Sequence, residues 1–131
     1  MELPEHYAAD VLFFFDGHPE ELALYEALFH RMEEAFPEGR VKVQKTQISF
    51  YGRRLFAAAS LPVRRRKDWP RTCLVVTIGL GHRLDSPRVA VASEPYPGRW
   101  THHILVTEAD QIDGKLMGWL HEAWDFAESK R

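Results

Sequence analysis

Lys45-Thr46-Gln47-Ile48-Ser49-Phe50-Tyr51-Gly52-Arg53-Arg54-Leu55-Phe56-Ala57-Ala58-Ala59-Ser60 reads as two strands joined by a glycine turn. Ile48 and Phe50 alternate with Gln47 and Ser49, the period of two that marks a strand with one buried face. Just upstream, Val41 and Val43 alternate with Lys42 and Gln44, so the apolar positions switch from odd to even. One residue of slippage carries a strand's whole apolar set to the opposite face, and the switch predicts a bulge or break between Gln44 and Thr46. Lys45 turns inward if the odd register continues and outward if the bulge forms. Beyond the turn, Ala57, Ala58 and Ala59 are small enough to let a neighbouring element lie close.

Outward from this hairpin the period changes. Toward the N-terminus, residues 4 to 15 end in a dense apolar run and stop at Asp16-Gly17, predicting a short helix. Pro19-Glu20-Glu21 suits a helix start, because proline tolerates the first helical position and carboxylates favour the positive end of the helix dipole. Leu22, Tyr25, Leu28, Phe29, Met32 and Phe36 then recur at three and four, and Pro37-Glu38-Gly39 ends the helix. Toward the C-terminus, Thr72 to Ile78 is apolar almost throughout and predicts a central strand, followed by short strands at Arg88 to Ala92 and Arg99 to Val106. In the last of these, Trp100, His102, Ile104 and Val106 share one face, and Arg99, Thr101, His103 and Leu105 the other. Thr107 to Asp110 resembles a capping box, and Ile112, Leu116, Trp119, Leu120, Ala123, Trp124 and Ala127 form the apolar side of a long final helix. Gly114 and Gly118 point to a later true start near Asp113 or to a close helix contact. The fold class is α+β: one domain over residues 1–131, with a mainly antiparallel sheet of about six strands flanked by N-terminal helices and a long C-terminal amphipathic helix.

Composition agrees with a packed core: 45% of the 131 residues are hydrophobic and 27% charged, outside the disordered range. The single Cys73 sits in the apolar run Cys73-Leu74-Val75-Val76 and reads as a small buried hydrophobe. The acidic start Met1-Glu2-Leu3-Pro4-Glu5 and the shortness of Val11 to Phe15 argue against a signal peptide, so a cytoplasmic location without membrane association is expected. Charge is strongly segregated. Residues 40 to 99 hold thirteen of the seventeen Lys and Arg against three acids, a net of +10, and the two ends carry −12. This predicts a basic sheet and acidic helices, with either an anion site on the sheet side or a merely solvated basic face.

The candidate binding residues are Lys45, Gln47, Arg54, Trp100 and His102. A lysine or arginine on an apolar wall can hold an anion, and His102 shares the apolar face of its strand with Trp100. His102 reads first as a buried, hydrogen-bonded core histidine and second as a ligand contact. In an enzymatic alternative it acts as general acid or base while Lys45 or Arg54 stabilises negative charge. Arg64, Arg65, Arg66 and Lys67 followed by Trp69 form a basic loop of the kind that contacts a phosphate backbone and stacks on a base, although basic surface loops are common. Adjacent His102 and His103 point to opposite faces of a strand, so no metal site is expected, nor does any stretch carry a cofactor or nucleophile signature. The leading expectation is a non-catalytic binding domain for a small anionic ligand or a protein partner. Nucleic acid is a weaker alternative, and a homo-oligomer could form by pairing oppositely charged faces.

The helix Pro19 to Phe36, the strand Lys45-Thr46-Gln47-Ile48-Ser49-Phe50, Thr101-His102, and Gly118-Trp119-Leu120 leading into Ala123 together resemble a small bacterial family described as a domain of unknown function. The resemblance covers most of residues 10 to 128. It implies a compact α+β domain, and it implies no activity and no catalytic residue.

Overall fold

Three helices lie against one face of a six-stranded antiparallel sheet in the computed structural model, which describes residues 1–62 and 68–130. The helices are α1 (Tyr7–Phe14), α2 (Pro19–Ala35) and α3 (Gly114–Glu128). The strands are β1 (Arg40–Val43), β2 (Ile48–Tyr51), β3 (Leu55–Ser60), β4 (Leu74–Leu80), β5 (Val89–Tyr96) and β6 (Arg99–Val106), in the spatial order β1-β2-β3-β4-β6-β5. The α+β expectation and the antiparallel sheet therefore hold, with β4 central and buried at nearly every position.

The parity switch upstream of Ile48 marks a break, one of the two alternatives read from it, and the break is a reversal of the chain. Residues 44 to 47 are not a bulge in one strand but the tip of a hairpin: Val43 pairs with Ile48 and Val41 with Phe50, and the Gln44 amide donates to the Gln47 carbonyl at 2.9 Å. Across a loop with an even number of residues, antiparallel partners on one face have opposite parity, so a hairpin alone produces the switch. The register shift lies one turn later, where Phe50 and Tyr51 oppose Ala57 and Leu55 and Phe56 is the extra residue.

Directly paired residues of an antiparallel sheet share a face, so the register sorts the side chains. Val41, Phe50, Ala57, Ile78 and His102 occupy one side, together with Ile48, Ala59, Val76, Ile104, Leu74 and Val106. Almost all are buried under the helices. Tyr25 of α2 stacks on Phe50, and Phe36, Phe56 and Trp124 form an aromatic cluster where the end of α2, β3 and α3 meet. The start of α3 is held from outside the sheet. Asp113 caps it by accepting from the Leu116 amide at 2.9 Å, and Arg88 donates to the Asp113 carboxylate and to the Gln111 carbonyl. This bears out a start near Asp113; the capping box upstream belongs to the short 3-10 turn Ala109–Gln111 and uses Glu108 and Gln111 rather than Asp110. No described helix is long and apolar enough to cross a membrane.

Candidate functional site

The other side of the sheet carries Arg40, Lys42, Ser49, Tyr51, Leu55, Ala58, Ser60, Val75, Thr77, Gly79, Val91, Ser93, Thr101 and His103 by the same register. Arg99 joins them, two residues before Thr101 on β6. No described helix packs here, and none of these residues is an acid. Small side chains at Ala58 and Gly79 leave a depression of about 70 Å³, lined also by Gln47, Leu55, Thr77 and Arg99. The Arg99 guanidinium lies on the bare Cα of Gly79; a methyl group there would sit 2.6 to 2.8 Å from it. Among the described residues Arg99 forms no ion pair with a carboxylate. Polar groups around the depression are held in place. Ser49 Oγ, fully buried, accepts from Gln47 Nε2 at 2.8 Å and donates to Gln44 Oε1, while Thr77 Oγ1 and His103 Nδ1 lie 2.9 Å apart. Arg40 and Lys42 rest over the Tyr51 ring, with their cations 5.2 and 5.1 Å from its centre. The arrangement offers a guanidinium, an amide and hydroxyls around a floor that backbone-sized groups can approach.

The five candidate binding residues do not converge. Gln47 lies at this depression. Lys45 is exposed at the β1–β2 hairpin tip and lines, with Asp10, Phe13 and Phe14, a separate groove of about 490 Å³. Arg54 is exposed in the β2–β3 turn, and Trp100 is half-buried on the helix side with Arg83 over its ring. His102 is 0% exposed on the helix side, three strands from β2, or about 14 Å across the sheet. Its Nε2 accepts from the Leu84 amide at 2.9 Å. Desolvation lowers its pKa, and the neighbouring Ile78 carbonyl opposes that shift without bonding Nδ1. Buried, neutral and bonded to a loop amide, His102 is built as a core residue, the first of the two readings. Arg64, Arg65, Arg66 and Lys67 lie outside the described residues, and Trp69 is half-buried. Among the described residues no group of three or more His, Cys, Asp or Glu is arranged to hold a metal, and Cys73 is buried.

A family model described as a domain of unknown function, DUF5655, matches residues 13–127, which span all six strands and most of the helical layer. The chain belongs to that family. No curated protein and no solved structure matches it. The DUF5655 match therefore covers both the depression on the open sheet face and the core that supports it, and leaves most of α1 outside.

The residues that the sequence did not single out are Arg99, Thr77, Gly79, Ser49 and Ala58. Strand alternation already set Arg99, Thr101 and His103 on one face of β6. Strand order, which alternation does not contain, was needed to bring β2, β3, β4 and β6 together and to show which face the helices leave open.

Proposed function

We propose that this chain is a non-catalytic binding domain that takes a small anionic ligand, through a carboxylate or phosphate group, on the helix-free face of its sheet. The observation carrying this reading is the Arg99 guanidinium, lying on Gly79 without a carboxylate partner among the described residues, on a face where the strand register places Arg40 and Lys42 as further cations and places no acid. Arginine presents a planar fork of donors that matches carboxylate and phosphate oxygens. Gln47 Nε2, which gives one N–H to Ser49, has a second for a ligand at the rim, and the absence of side-chain bulk at Gly79 seats the guanidinium low against the sheet.

Two variants test it. Arg99→Gln removes the charge-assisted bonds and lowers affinity for inorganic phosphate or a dicarboxylate about tenfold or more. Gly79→Ala keeps the charge but displaces the guanidinium, which is the mobile end of a side chain, so it weakens binding while leaving the fold intact. Amide chemical-shift mapping during phosphate titration is expected to move Ala58, Thr77 and Gly79, with the effect shrinking as salt is added. Shifts confined to other surfaces, or unchanged affinity in both variants, would refute the reading.

A further inference from the structure

On the opposite side of the molecule, α1 and α2 enclose a cleft of about 400 Å³ lined by Tyr7, Ala8, Val11, Leu12, Tyr25, Glu26, Phe29, His30 and Glu33. Its walls are aromatic. The Tyr7 and Phe29 rings lie 5.0 Å apart and those of Tyr25 and Phe29 6.1 Å apart. The Tyr7 and Tyr25 hydroxyls bond each other at 2.7 Å, so the phenols satisfy one another at the cleft wall. Glu26, Phe29, His30 and Glu33 follow the spacing of a single helical stripe. The two carboxylates therefore stand two turns apart, about 10 Å along α2, with the Phe29 ring between them. Both are exposed, and neither forms an ion pair with a described residue. His30, the one basic group among the described residues of the lining, is bonded to Glu34 at 2.9 Å. Among the described residues no Lys or Arg lines the cleft.

From these walls and this rim we infer that the α1–α2 cleft binds a small organic cation, an ammonium group carried on an aromatic or aliphatic body. Aromatic faces attract a cation through their quadrupole and bury the apolar body, and two uncompensated carboxylates select for positive charge. The volume is that of a small-molecule site. Burial pushes the Tyr7 phenol up to about 12, with Glu33 and Glu26 adding to the rise against the lowering effect of the Tyr25 bond. The phenol therefore stays neutral at the cleft wall, where an ionised ring oxygen would bring a third negative charge. This site is independent of the anion site, which lies on the other side of the sheet and has the opposite charge preference.

The test compares phenethylamine with 2-phenylethanol, its neutral counterpart, by amide chemical-shift titration of the full chain. Phenethylamine is expected to move resonances of residues 7 to 12 and 25 to 33 and to bind about tenfold tighter than the alcohol. In the surface variant Glu26→Gln, Glu33→Gln the preference shrinks by about threefold per carboxylate, and added salt reduces it in the wild type. No shifts in the cleft at millimolar amine, equal affinity for the alcohol, or a preference unchanged in the double variant overturns the inference.

Discussion

His102 shows how a residue with the chemistry of a proton carrier can be set to another task. Its Nε2 must be unprotonated to accept from the Leu84 amide, and the desolvation that lowers its pKa keeps it so. A group whose folded pKa lies below its unfolded value contributes stability above the unfolded value, near 6.5 for histidine, and that contribution is lost as pH falls toward the folded one. Unfolding midpoints in urea are therefore expected to drop on acidification below about pH 6.5. His102→Ala is expected to cost about 2–4 kcal/mol at neutral pH, from a lost core side chain and an amide left without its acceptor. It should also flatten that part of the pH profile. His82, which bonds Glu122 on the surface, has a raised pKa and works in the other direction: its contribution is present at acid pH and fades as pH rises through the folded value. An exposed pair of this kind is worth little. A variant of His102 with wild-type stability at neutral pH would remove the structural role assigned to it here.

The elements were legible in proportion to how long their periods run. Pro19 to Ala35 carries four turns of unbroken spacing, and α3 declares itself through Leu116, Leu120, Ala123 and Ala127, so both appear as read. The β1–β2 hairpin was hidden because short hairpin turns usually announce themselves with Gly or Asn, and the tip here, Gln44 to Gln47, has neither. Without that signal a change of parity looks the same whether it comes from a bulge or from reversal of the chain. The start of α3 was legible from its glycines, yet the clamp that fixes it was not: Arg88 and Asp113 are 25 residues apart and meet only through the fold. Asp113 both caps the helix and receives Arg88 at 3.1 Å. Asp113→Ala is expected to destabilise the domain by about 1–2 kcal/mol, the usual worth of an N-cap. The loss should appear first as faster hydrogen exchange over Leu116 and Met117. Asp113→Asn, which keeps a capping oxygen, should recover most of it, and an equal loss in both variants would show that the Arg88 charge pair dominates instead.

At the scale of the whole molecule the layering turns a nearly neutral sequence into a strongly dipolar body. The net of −2 divides into +10 over residues 40 to 99 and −12 over the rest. Among the described residues the first group builds five of the six strands, and the second holds all three helices. Among the described residues Arg40, Lys42 and Arg99 stand on the helix-free face while Glu20, Glu26, Glu33, Glu34, Glu122 and Asp125 lie on the helices, so two copies attract best when the sheet of one meets the helices of the other. Such a contact joins different surfaces and does not close on itself by a two-fold axis. Association driven this way is graded and screened by salt. Light scattering at low ionic strength is thus expected to give an apparent mass that climbs with protein concentration above the 15.2 kDa of one chain. Raising the salt to about 0.3 M, where the Debye length falls below about 8 Å, should return it to the monomer value. A discrete dimer that survives that salt would mean that an apolar surface holds the copies together. The exposed Leu12 and Phe13 of α1, 60% and 84% accessible, would then be the first residues to replace.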